Sequence, residues 1–206
     1  MQNWINKYFG QTFSLGMGIT LISSLLFLLN DYTSAVDHYL VYDRELISSG
    51  MYWQLITGNL LHSNIWHLLL NLAGLWVILS IHAMHYTRKQ IWLLFWLFCL
   101  LEGIGLYLFS PQLEAYVGLS GMLHALFTFG AICDIRFKFK SGWLLLAGVV
   151  AKVTHEQLYG ASTEVTQMIG TRVATESHLT GVIIGVIIAL LFVCLQHGRK
   201  RLKHEQ

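Results

Sequence analysis

Long uncharged runs separated by short charged clusters dominate this chain. The first runs from Phe13 to Leu29 and ends at Asn30-Asp31. Its length would also suit a cleaved leader, but the segment before it carries only Lys7 and no small-x-small cleavage site follows, so a retained first helix is expected. From Asp31 to Asn64 the chain reads as a loop, with Met51-Tyr52-Trp53-Gln54-Leu55 suited to an interface where aromatic rings sit at headgroup level. The next runs are Ile65 to Ile81, Ile91 to Phe109, and Val117 to Cys133. The fifth is the weakest, since Trp143 to Val153 gives eleven residues and already contains Lys152. A snorkelling Lys152 lets that helix extend toward Tyr159. A polar loop to Glu176 follows, and the last run is Leu179 to Leu195. Runs of this kind predict membrane-spanning helices. The spans fall near 13–29, 65–81, 91–109, 117–133, 142–158 and 179–195.

Composition agrees. The chain is 55% hydrophobic and 12% charged over 206 residues, far from the soluble balance of roughly a quarter charged. The expected fold is an all-α integral membrane protein, a single six-helix domain covering 1–206 with the lipid bilayer as its partner. A net charge of +2 gives no ground for nucleic-acid binding. Cys99, Cys133 and Cys194 all fall in apolar runs and form no CxxC or Cys/His ligand spacing, so inert thiols are expected, with no metal site and no cofactor.

Charge predicts the orientation. With six spans, Lys7, Arg88, Lys89, Arg136, Lys138, Lys140, Arg199, Lys200, Arg201 and Lys203 share one side, ten of the 13 basic residues. Arg44, Lys152 and Arg172 lie on the other. The positive-inside rule then makes both termini cytoplasmic. Dropping the fifth span alone would put the basic tail outside and break that rule, whereas losing the first would leave the pattern intact.

This topology has a chemical consequence. The second, fourth and sixth helices all start at the outer face, and their starts carry His67 and Asn71, then Gly118 to Gly121, then His178. Three helix N-termini direct partial positive charge to that level. Each residue also has a plain reading. Ser120 can be a helix cap, Gly118 and Gly121 packing residues, His178 an interfacial side chain, and His67 with Asn71 an interhelical hydrogen-bond pair on one face. Together at one depth they point to acyl transfer by a serine nucleophile. His178 is the favoured base. His124, one turn after Ser120, competes for that role or packs against His178 and orients it. No Asp or Glu stands out as a third member, so a dyad is expected. The Ser120 N–H, His67 and Asn71 would hold the oxyanion. Glu102, in the middle of the third run, is expected to make a structural hydrogen bond, with a catalytic role the lesser alternative.

At these residues the chain resembles the rhomboid intramembrane serine proteases. His67-Leu68-Leu69-Leu70-Asn71 is similar to the family's HxxxN, Gly118-Leu119-Ser120-Gly121 to its GxSG, and His178-Leu179-Thr180-Gly181-Val182-Ile183-Ile184-Gly185 to its HxxGxxxG. The resemblance implies a six-helix rhomboid-like bundle, Ser120 and His178 as catalytic dyad, His67 and Asn71 at the oxyanion, and Gly181 and Gly185 as packing residues. It spans about residues 50 to 190. Two positions depart from the common pattern. Trp53 is followed by Gln54 where the family has Arg, and His124 stands where many members have Tyr. His124 makes the chain look most like the rhombosortase branch. That likeness implies a bacterial inner-membrane enzyme that removes Gly-Gly-type C-terminal anchors from membrane-anchored exported proteins. It also implies possible transfer of the new C-terminus to a lipid-derived amine. The competing readings are a protease of other transmembrane substrates, a non-catalytic protein of the same fold that binds clients, and a small channel. The channel ranks last, because the polar groups cluster at one end and trace no path across.

Overall fold

A computed structural model describes residues 10–30, 32, 33 and 35–204, with side chains as far as Leu195. The orientation argument from Lys7 and from the side chains of Arg199, Lys200, Arg201 and Lys203 therefore lies outside the described residues. In chain order the elements are α1 (Gly10–Asn30), α2 (Ala35–Leu40), β1 (Tyr42–Asp43), α3 (Arg44–Ser48), α4 (Gln54–Thr57), α5 (Ile65–Ile81), α6 (Arg88–Phe109), β2 (Ala115–Tyr116), α7 (Ser120–Arg136), α8 (Ser141–Tyr159), α9 (Thr163–Ile169) and α10 (Thr175–His204). The six long helices, α1, α5, α6, α7, α8 and α10, form an all-α membrane bundle.

Three helices, Gly10–Asn30, Arg88–Phe109 and Thr175–Leu195, are each long and apolar enough to cross a bilayer. The segments Gln54–Leu60 and Ile65–Ile81, bent by 97° at their junction, pass that test together. α7 and α8 do not pass it. α7, with 17 residues, is too short for it, and it also lies at the centre of the bundle. Gly121, Met122, Ala125, Phe129, Cys133 and Asp134 are all buried, so it meets neighbouring helices more than lipid. The outward faces carry Leu21, Leu25, Leu93, Leu144, Ile187 and Leu190, all exposed, as lipid contact requires.

Local signals set the helix starts. Asn64 caps α5 by accepting from the His67 amide at 2.9 Å, and Thr87 with Gln90 forms a capping box on α6. The core joins Leu15 and Ile19 of α1, Leu75 and Leu79 of α5, Phe95 and Phe98 of α6, and Met122 and Phe129 of α7. α1 is tied in by polar contacts too. Trp76 Nε1 donates to Thr20 Oγ1 at 3.1 Å, and Trp92 Nε1 donates to Ser14 Oγ at 3.3 Å.

The two segments read as loops are more ordered than their composition suggested. The stretch before α5 holds α2, α3, α4 and β1, and β1 pairs antiparallel with β2 so that Tyr42 opposes Tyr116. Arg44 anchors it by donating to the carbonyls of Leu106, Ser110 and Leu113. Gln54 is fully buried. It donates to His38 O at 3.0 Å and accepts from the Asp43 amide at 3.2 Å. The stretch after α8 contains α9, fastened to the start of α5 where Ser63 Oγ donates to Ile169 O and Asn64 Nδ2 donates to Met168 O. At the opposite end of the bundle, His82 and His85 pair with Asp134 and join α5 to α7.

The contact that positions the site is between α10 and α7. A Cβ on Gly181 would fall on the Gly121 carbonyl oxygen, and one on Gly185 would stand 2.6 Å from the Ala125 carbonyl oxygen. Backbone cannot yield as a flexible side chain can, so both positions require glycine. Gly181→Ala is therefore expected to lower stability by about 1–3 kcal/mol, the usual cost of overpacking. Gly148→Ala on α8, where a Cβ meets nothing within 4 Å, should not. Thermal unfolding of the two variants in detergent checks this, and equal midpoints would refute the close-contact account.

Candidate functional site

Ser120 is the first residue of α7, preceded by Leu119, which makes no side-chain cap. The hydroxyl does not turn back to cap the helix. Ser120 Oγ instead lies 3.0 Å from His178 Nε2, which removes the cap reading. The ring of His178 is held from its other nitrogen, since Nδ1 donates to Glu156 Oε2 at 2.8 Å. A carboxylate only accepts, so this bond places the proton on Nδ1 and leaves the Nε2 lone pair for the serine hydroxyl. Glu156 in turn accepts at Oε1 from Lys152 Nζ at 2.7 Å, and that ammonium also lies 3.3 Å from His178 Nδ1.

His124 stacks on His178, with ring centroids 4.2 Å apart and planes 20° apart. Its Nδ1 donates to the Ser120 carbonyl at 2.7 Å. The serine hydroxyl is thus bonded to His178, while His124 covers the face of that ring. The donor atoms of His124, Glu156 and His178 lie within 4.8 Å of one another. Their chemistry fits a hydrogen-bond network better than a cation. Stacked rings hold their in-plane lone pairs parallel, not convergent, and both His178 nitrogens are already engaged.

The second group gathers around Gly118. This residue has φ +120°, a conformation that favours glycine, and a Cβ there would stand 2.6 Å from His67 Nε2 and 3.4 Å from Asn71 Nδ2. Ser63 occupies the Nδ1 side of His67, so Nε2 is the nitrogen facing Gly118. Asn71 Nδ2 is buried with no hydrogen-bond partner among the described residues. Tyr116 holds the segment in place. Its hydroxyl donates to Gly118 O at 2.6 Å and accepts from the Gly121 amide at 3.4 Å, while the Gly118 amide donates to Gly58 O at 3.1 Å. Burial pushes the Tyr116 phenol up, which keeps it a donor. Beside His67, burial pushes His62 down to about 3, with His67 adding to the shift, so that ring is neutral.

Glu102 lies behind the site. Its carboxyl is fully buried, with Oε1 2.5 Å from where a Cβ on Gly121 would stand. Its oxygens face the side chains of Asn59 and Tyr116, which are its hydrogen-bonding neighbours. The carboxyl thus lies among polar side chains behind the first turn of α7.

Two cavities meet at Ser120. One, of about 560 Å³, lies between α5 and α8 and is walled by Leu70, Ile78, Leu123, Leu144 and Val149, with Lys152 and His178 at its head. The other, of about 250 Å³, lies on the side of β2 and α9 and includes Tyr116, Thr171 and Arg172. Sequence reasoning had Ser120, His178, His67, Asn71, Gly118, Gly121 and His124, and the fold brings all of them together. It missed Glu156 and Tyr116. Glu156 follows Lys152 by four residues at the end of the weakest run, where the pair reads as a surface ion pair.

The fold is a helical membrane bundle with a serine–histidine pair at a helix start, reached from an apolar cavity. Residues 49–194 match the rhomboid domain family. The chain belongs to that family, which comprises intramembrane serine proteases acting on membrane-protein substrates and also inactive members. No curated protein matches the chain.

Tyr116→Phe removes the bond to Gly118 O and leaves the ring. The expected result is a loss of about 1 kcal/mol in stability, read by thermal unfolding, and weaker labelling of Ser120 by a fluorophosphonate. Unchanged labelling would show that Gly118 holds its conformation without the phenol.

Proposed function

We propose that this protein is an active intramembrane serine protease that cleaves membrane-anchored substrates with Ser120 as nucleophile and His178 as general base. The observation that carries the reading is the 3.0 Å contact between Ser120 Oγ and His178 Nε2 beside an unpaired Asn71 amide. Ser120 Oγ attacks the scissile carbonyl carbon while its proton passes to His178 Nε2. The oxyanion forms over Gly118, near Asn71 Nδ2 and His67 Nε2–H, the latter in the tautomer that accepts the Ser63 amide, with the Ser120 N–H as the third donor. His178 then returns the proton to the leaving nitrogen, and the amide C–N bond breaks. A second nucleophile releases the acyl group from Ser120. A non-catalytic client binder has no use for an unpaired buried amide aimed at this point, which ranks that reading lower.

The apolar cavity between α5 and α8 suits the hydrophobic anchor of the substrate, and the smaller polar one suits the segment outside the bilayer. The finer assignment rests on the resemblance at His124. On it the substrates are exported proteins with Gly-Gly-type C-terminal anchors, and the second nucleophile is water or a lipid-derived amine. The charge pattern supports a bacterial inner-membrane setting with cytoplasmic termini and an outward-facing site. Arg88, Lys89, Arg136, Lys138 and Lys140 belong to the end of the bundle near Asp134, while Arg44, Lys152 and Arg172 belong to the end near Ser120.

Ser120→Ala is expected to abolish processing of a membrane-anchored substrate and fluorophosphonate labelling while expression persists; retained processing would sink the proposal. Asn71→Ala is expected to slow turnover about a hundredfold or more with little change in stability, because Nδ2 bonds nothing in the resting state. Mass spectrometry of the mature C-terminus separates hydrolysis, which leaves a free carboxylate, from transfer, which adds the mass of the amine.

A further inference from the structure

Glu156 has a function that goes beyond a serine–histidine pair. We infer that Glu156 is a positioning residue for His178, completing a Ser120–His178–Glu156 array from three different helices, with Lys152 as the counter-charge that keeps the carboxylate tolerable in the membrane. This rests on the protease reading above. Glu156 Oε2 takes the Nδ1–H of His178 at 2.8 Å while Ser120 Oγ lies on Nε2 at 3.0 Å. The three side chains come from α7, α8 and α10, so no local helix geometry forces the alignment.

The other groups around His178 do not serve the same end. His124, from α7, stacks on the ring face and spends its Nδ1 on the Ser120 carbonyl. His67, from α5, faces Gly118. Glu176, on α10 itself, is held by Arg172 at 3.1 and 3.2 Å. Lys152, from α8, lies 3.3 Å from Nδ1 and opposes any positive charge there. Among the described residues, only Glu156 is bonded to the ring in the sense that favours an imidazolium.

The step balances without a further reactant. When Ser120 Oγ bonds the acyl carbon, its proton moves to His178 Nε2 and the ring becomes an imidazolium. Its Nδ1–H stays bonded to Glu156, which remains ionised throughout. The proton then leaves with the departing nitrogen. An imidazolium forming beside lipid, with an ammonium 3.3 Å away, needs this carboxylate more than it would in water. A purely structural Glu156 would pair with Lys152 and do nothing to the histidine.

The test is the rate at which a fluorophosphonate labels the purified full-length chain in detergent, followed against pH. In this reaction Ser120 Oγ bonds phosphorus, fluoride leaves, and the hydroxyl proton goes to His178. Glu156→Gln is expected to slow labelling about a hundredfold or more, the usual scale for losing base function, and to move the acid limb of the profile to lower pH. Lys152→Met is expected to move that limb to higher pH. Wild-type rate and limb in Glu156→Gln would overturn the inference. If Glu156→Gln does not yield folded protein, Lys152→Met decides alone, and an unmoved limb overturns it. Wild type that labels only when Ser120 is present, with Glu156→Gln unaltered, would keep the protease reading and remove Glu156 alone. Wild type that does not label at all would remove the protease reading itself, and this inference with it.

Discussion

The approach of α10 to α7 is the constraint on which this structure depends. Two backbone surfaces meet at Gly181 and Gly185, against the carbonyls of Gly121 and Ala125. His178 lies three residues before the first of these glycines, and Ser120 one residue before the facing Gly121. Small residues thus set the separation of the reacting groups, because the side chains of serine and histidine are too short to bridge two helices at ordinary spacing. Dispersion between close backbones drives such contacts in lipid, where burial of apolar surface offers little. The same contact explains why α7 is the least lipid-like of the long helices. It is packed from several sides and can carry Thr128 and Asp134 in its interior.

That close packing creates a polar problem, which the chain solves unevenly. The strand pair, Arg44 and Tyr116 satisfy most of the carbonyls near the site. Asn71 Nδ2 is left without a partner among the described residues, beside Gly118. Unpaired buried groups cost about 1–3 kcal/mol each. On the proposed mechanism Asn71 has an account, because an unpaired donor is free for an oxyanion that exists only during reaction. Glu102 sits behind Gly121 with Asn59 and Tyr116 as its polar neighbours.

The legible part of the protein was set by hydropathy and charge, which act over whole helices. Runs near 65–81 and 91–109 became α5 and α6 within a few residues, and the shared depth of Ser120, His178, His67 and Asn71 followed from alternating direction. What stayed hidden depends on contacts with no periodic trace. β1 and β2 are two residues each and pair across more than seventy positions of chain. α9 sits in a stretch whose polar residues read as loop. Glu156 ends a run already weakened by Lys152, and nothing in the spacing to His178 marks it. A dyad is what the sequence suggests, because no Asp or Glu stands out in it as a third member. The carboxylate that touches the histidine is near a helix end, sheltered beside an exposed lysine.

Lys152 and Glu156 then read differently from a surface pair. The lysine side chain is 48% exposed and the glutamate 11%, so the ammonium is the solvated partner and the carboxylate the sheltered one. An exposed pair of this kind contributes little to stability. Its consequence is electrostatic. A carboxylate alone at the head of an apolar cavity would favour its own protonation over serving the histidine, while a lysine in full contact with the ring would oppose the imidazolium. Solvent access on the lysine side screens that second effect more than the first. The asymmetry of exposure therefore lets one ion pair keep Glu156 ionised and still leave a net attraction for the proton that, on the proposed mechanism, His178 takes from Ser120.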